Sequence, residues 1–285
     1  MILVKNTYEQ LVLGATCAGL GAALARPAET LLVEPSASAG WDFVEAFQPG
    51  GGWDEATASG LHPLVQEIRN ELLQREALSG GRIHLPGLGA VLFNRLYRSG
   101  AGYLFLTNLL SARPVPGGKG YEVQLANRSG IRRITVQQIL DTTSTFQSRP
   151  ERRVALAVRR IGANLNLRRD VRAASLPLAG AGFEVLAGRF PREAYLQLDL
   201  PPGTAWPEAR EALNRFWIER PEALQGCDLV SVGTQFFEIP VGKAETANDE
   251  RWQHLPSAFH AGPLSALSSG AGARTTRPPA RSAPW

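Results

Sequence analysis

The sequence predicts an α/β fold: a parallel, Rossmann-like sheet followed by an inserted β-rich second domain. Three observations carry this. Leu11-Val12-Leu13 runs into Gly14-Ala15-Thr16-Cys17-Ala18-Gly19 and then into a string of small residues. Leu31-Leu32-Val33 ends in Glu34 at Gly14 plus 20. Beyond residue 150 most of the apolar segments read as strands.

Each element follows from its residues. Gly14 allows a sharp turn, a helix starts near Cys17, and Gly19 lets it lie close to the sheet. The helix start offers N–H groups and a positive dipole end to a diphosphate. Glu34 is placed to accept hydrogen bonds from a ribose diol and to disfavour a 2′-phosphate by like charge. Thr16 stands where the three-glycine fingerprint has its middle glycine.

Residues 35–60, rich in Gly, Ser and Ala, read as a long loop anchored by Trp41, Phe43, Phe47 and Trp53. Apolar residues at helical spacing predict helices over about 61–78 and 88–98. Tyr103 to Thr107 reads as a strand. Tyr121–Leu125 and Ile131–Leu140 read as a hairpin ending in Asp141-Thr142-Thr143-Ser144. Later strands are expected at Val154–Val158, Phe183–Leu186, Tyr195–Leu200 and Leu229–Ile239, with a helix from Pro207 to Glu219. The domain limits expected are 1–150, 151–245, a return segment 246–272, and a disordered tail 273–285.

Composition narrows the class. The chain has 285 residues, 44% hydrophobic, with a net charge of +4. Three arginines lie in the tail, at 274, 277 and 281, so the rest is close to neutral. Arginines at 149, 152, 153, 159, 160, 168, 169 and 172 form a basic stretch without interleaved aromatics, read as a solvated strand face. Nucleic acid is therefore not an expected partner. Neither a membrane span nor a leader peptide is read, and a cytoplasmic location is the expectation. The two cysteines, Cys17 and Cys227, form no metal-ligand pair, and no metal is expected.

The order of these pieces resembles the FAD-dependent oxidoreductases of the glutathione-reductase-like type, in particular a bacterial group with a G-A-T-x-A-G turn. Gly14-Ala15-Thr16-Cys17-Ala18-Gly19 is similar to that turn. Asp141-Thr142-Thr143-Ser144 is similar to the family's D-A-T-G element. Residues 255–267 look like its closing segment, where a helix start faces the flavin. The resemblance implies FAD as cofactor and a small-molecule substrate. It implies cofactor contacts from Gly14, Thr16, Cys17, Ala18, Gly19, Glu34, Pro35, Leu109, Asp141, Thr142, Ser257, Ala258, Pro263 and Leu264. His260, then His254, would be the proton donors or acceptors. Two alternatives stay open: an NAD-binding reductase or dehydrogenase, and a non-catalytic relative acting as a binding or partner module. Thr16, the helix cut short at Pro27, and Ser144 in place of glycine motivate the second. The oligomeric state and the substrate are left open.

Overall fold

The computed structural model describes residues 5–51, 53, 62–143, 156–168 and 178–240. Strand β1 (Thr7–Leu13) leads through the glycine turn into helix α1 (Cys17–Ala25), and β2 (Thr30–Val33) returns parallel to β1. Pro27 opens a single 3-10 turn, Pro27–Glu29, since its ring cannot continue the α-helical bonding. A short helix, α2 (Trp41–Val44), lies within the segment expected to be loop throughout.

Helix α3 (Pro63–Gln74) ends earlier than periodicity predicts. Leu78 instead pairs with Ile83 in a two-residue hairpin of β3 (Leu78–Ser79) and β4 (Arg82–Ile83). Helix α4 (Leu85–Ser99) stops at Gly100, which takes φ +80°. Strand β5 (Gly102–Leu104) is shorter than expected because the chain turns at Leu106, φ +52°. It is followed by β6 (Asn108–Pro114), which sequence reading missed, then β7 (Tyr121–Asn127) and β8 (Gly130–Asp141). The sheet order is β5-β2-β1-β8-β7-β6; β5, β2, β1 and β8 run parallel, and β7 and β6 add as an antiparallel meander.

Alternation along β1 and β2 sets the layers. Val12 and Leu32 face α1, α3 and α4, whose Leu20, Ile68, Leu72, Leu88 and Leu92 complete one core. Leu11, Leu13, Leu31 and Val33 face the other side with Val123, Leu125, Ile134 and Val136. Successive side chains of a strand point to opposite faces, and here both faces are apolar and covered.

The second sheet is antiparallel, in the order β10-β11-β12-β9-β13. Its strands are β9 (Leu156–Leu167), β10 (Leu178–Gly180), β11 (Phe183–Ala187), β12 (Glu193–Leu200) and β13 (Cys227–Pro240), with helix α5 (Trp206–Ile218) between the last two. One face packs Ile161, Leu165, Leu196 and Val185 against Leu213 of α5. The other face sends Tyr195, Phe237 and Ile239 into the helical core of the first sheet. The two arginines of the basic stretch that lie on β9 make ion pairs within the chain. Arg159 bonds Glu238 at 2.5 Å and lies over the Phe236 ring; Arg160 bonds Asp199 at 2.6 Å. The Arg160 and Arg168 pairs lie at the surface, while positions 149, 152, 153, 169 and 172 lie outside the described residues.

A polar clasp joins the two sheets. The Tyr195 hydroxyl accepts from Leu85 N at 3.0 Å, at the start of α4, and donates to Glu193 at 2.5 Å. Glu193 also meets His84 Nδ1 at 2.6 Å. Tyr195→Phe leaves a buried amide without its acceptor, and the expected loss is about 1–3 kcal/mol in denaturant unfolding. An unchanged midpoint would show that the clasp adds nothing.

Candidate functional site

The elbow between β1 and α1 is built as its residues dictate. Gly14 takes φ +93°, a region that favours glycine. A Cβ on Gly19 would lie 2.1 Å from Gly14 O and 2.8 Å from Thr142 Oγ1, so α1 rests on the turn with no side chain between. Gly14 N–H bonds Val33 O at 2.9 Å, tying the elbow to β2.

Hydroxyls then form a relay. Gly19 N–H donates to Thr16 Oγ1 at 3.0 Å, which donates to Thr142 Oγ1 at 2.7 Å. Thr142 passes its proton toward Leu13 O and Gly14 O, at 2.9 and 3.1 Å. Thr16 is thus an N-cap and a tie to the end of β8, and its hydroxyl is committed to protein. Asp141 at that strand end accepts from Thr143 N at 3.0 Å and Thr143 Oγ1 at 2.6 Å.

Two carboxylates meet the elbow's amides. Glu34, 3% exposed, accepts from Ala15 N at 2.7 Å and from Trp41 Nε1 at 2.7 Å through Oε2, and from Ser36 N at 2.7 Å through Oε1. Asp42, 4% exposed, accepts from Cys17 N at 3.0 Å through Oδ1. Its Oδ2 is buried without a hydrogen-bond partner. Burial pushes the Asp42 carboxyl up to about 7, against the pull of the N–H groups of Cys17 and Asp42, with nearby Glu34 adding to the rise. Burial also pushes the Cys17 thiol well above its ordinary range, helped by Asp42. Cys17 is therefore a packed side chain, not an activated thiol.

Asp42 arrives on a strap, residues 35–48, laid across the elbow. Gly40 N–H bonds Ala15 O at 2.7 Å, with Gly40 at φ +69° and Leu92 close against it. The far end of the strap leans on the second sheet. Glu45 O accepts from Thr234 N at 3.0 Å, and Gln197 Nε2 donates to Phe47 O at 2.6 Å. A Cβ on Gly162 would lie 1.9 Å from Ala46 O, so β9 meets the strap backbone to backbone.

The structure gathers most of the elbow residues named from the sequence. Gly14, Thr16, Cys17, Ala18, Gly19, Glu34 and Thr142 sit together, with Asp141 and Pro35 adjoining in the chain. The main chain of 104–107 runs beside Glu34: Glu34 N bonds Leu104 O at 2.9 Å and Thr107 N bonds Glu34 O at 3.0 Å. Leu109 lies two residues further, on β6 opposite Leu125. His254, Ser257, Ala258, His260, Pro263 and Leu264 lie outside the described residues. Sequence reading missed Asp42 and gave Trp41 no bonding role. The available signal was an acid inside Gly40-Trp41-Asp42, in a stretch otherwise mostly small. Among the described residues no cluster of His, Cys, Asp and Glu could hold a metal, and no helix is long and apolar enough to cross a membrane.

Known structures share this architecture: a parallel-strand sheet with an added antiparallel sheet, as in FAD-binding monooxygenases. One is aklavinone-11 hydroxylase, solved with FAD and aklavinone: TM-score 0.58, 16% identity, covering 94% of this chain and 61% of that one. Another is p-nitrophenol 4-monooxygenase from Pseudomonas putida: TM-score 0.55, 11% identity, covering 83% and 69%. A third is a geranylgeranyl bacteriochlorophyll reductase-like protein from Thermoplasma acidophilum: TM-score 0.55, 13% identity, covering 93% and 76%. The chain thus spans about three fifths of the hydroxylase. No family model and no curated protein matches the sequence.

Proposed function

We propose that this chain is an FAD-dependent oxidoreductase acting on a small organic substrate. The observation that supports this best is the elbow: a positive-φ glycine, a helix start packed without a side chain between, and a strand-end acid reaching into the turn. The same fold in FAD-dependent hydroxylases adds weight.

The residue types suit the adenosine-diphosphate half of the cofactor, although Ala15 N–H and Cys17 N–H are held here by Glu34 and Asp42. Main-chain N–H groups from Ala15 to Ala18 suit the diphosphate, with Gly14 and Gly19 giving the turn its shape. Thr16 would act through its place in the turn, since its hydroxyl bonds Thr142. Glu34, with Pro35 following, would take the ribose, and 104–107 with Leu109 the adenine side. Asp141 and Thr142 would lie along the cofactor. When bound, the flavin supplies the two-electron redox chemistry; the protein binds, orients and excludes water. Ser257, Ala258, Pro263 and Leu264 would face it, and His260 or His254 would move the proton.

The test is to denature the purified protein and identify what it releases. FAD in solution, with a visible flavin spectrum beforehand, is the expected result. A colourless protein that also fails to take up FAD in a titration would overturn the proposal. That outcome would favour a second reading, a non-catalytic relative, which the occupation of Ala15 N and Cys17 N by internal carboxylates already supports.

A further inference from the structure

We propose that the strap is a displaceable cap on the elbow: the Asp42 carboxylate stands in for a ligand phosphate at the start of α1, and a dinucleotide loads by driving it off. The inference rests on reading the elbow as a diphosphate site, and it adds that the site is self-occupied before loading.

Three independent features argue for it. First, Asp42 places a carboxyl oxygen on Cys17 N, at the N-terminus of a nine-residue helix, where a phosphate oxygen would otherwise go. Second, the Asp42 side chain is buried at the helix start with Oδ2 unpartnered. A group serving structure alone would be expected to have its second oxygen bonded, so this seat holds the carboxylate only in part. Third, two hydrogen bonds flank Asp42 on the elbow, while the strap's far end stays anchored through Glu45 O and Phe47 O. Gly40 N bonds Ala15 O, and Trp41 Nε1 bonds Glu34. Releasing Trp41 and Asp42 together frees Cys17 N and one acceptor site on Glu34, which are the groups a diphosphate and its ribose need.

The cap makes the binding-competent state a fraction of the population, and apparent affinity falls by that fraction. A ligand whose phosphate replaces the Asp42 carboxylate on Cys17 N and meets Ala18 N–H as well stabilises the uncapped state. A ligand without phosphate does neither.

The experiment uses the full chain, stripped of any bound nucleotide, with FAD and ADP as probes. FAD is followed by loss of flavin fluorescence. ADP, which does not absorb with tryptophan emission, is followed by tryptophan fluorescence in wild type and Trp41→Phe. Asp42→Ala is expected to bind both at least about tenfold more tightly than wild type. ADP should change wild-type tryptophan emission, and Trp41→Phe should lose most of that change. Equal or weaker affinity in a variant with wild-type circular dichroism overturns the cap. Asp42→Gly, which removes the acceptor on Cys17 N altogether, is read by the same criterion should the alanine variant not fold. Binding of ADP with this pattern but not of FAD keeps the cap and sinks the flavin reading. Absence of binding by either probe to any variant sinks both.

Discussion

Gly19→Ala is expected to remove about 4 kcal/mol or more of stability, placing it among the rare single substitutions that unfold a domain. The reason is local and steric. The new methyl would sit 2.1 Å from Gly14 O, a backbone atom that cannot swing aside, and 2.8 Å from Thr142 Oγ1. Relief requires α1 to lift from β1. That breaks the hydroxyl relay through Thr16 and Thr142 and opens a gap in the core around Leu20. Gly51→Ala is the control, since nothing lies within 4 Å of its Cβ position. Urea unfolding followed by circular dichroism compares the two. A Gly19→Ala midpoint equal to wild type would mean the helix does not rest on the turn as described.

The second large effect concerns pH. Asp42 titrates near 7 in the folded protein, mainly from burial, while an unfolded aspartate titrates near 3.9. The folded state therefore binds more protons between those values, and stability falls as pH rises through that window. Below it the carboxyl is neutral in both states and costs nothing. Above it the penalty is complete, on the order of 4 kcal/mol. Glu34 and the thiol of Cys17 are the titratable groups that act on it. Asp42→Asn keeps an acceptor for Cys17 N and removes the charge. Its stability relative to wild type should climb from pH 4 to pH 7 and then level off. A difference that stays flat across that range would contradict the buried carboxyl.

Much of the scaffold was legible because it depends on short-range rules. The apolar strand, Gly14, the small residues of α1 and the acid at position 34 each restrict local geometry, and together they specify one β-α-β unit. Pro27 likewise marked the true end of α1. Leu78 keeps the apolar rhythm of α3, so periodicity carries the helix too far, although its partner, Ile83, belongs to a hairpin. Strand β6 carries no clear alternation, since its side chains are mostly exposed or half-buried. The site was half legible. Glu34 could be named from its strand, but its partners could not, since Trp41 and Asp42 reach the elbow only through the path of a loop. That path depends on contacts distant in sequence, such as Gly162 against Ala46, which no periodicity encodes.

The bond from Thr234 to Glu45 O joins β13 to the same segment that carries Asp42. The antiparallel sheet is thus the abutment of a short lever whose other arm ends at the first amide of α1. β13 and the segment that carries Asp42, nearly two hundred residues upstream, therefore share one hydrogen-bonded seam. Their shapes are set jointly, with Glu45 as the fulcrum.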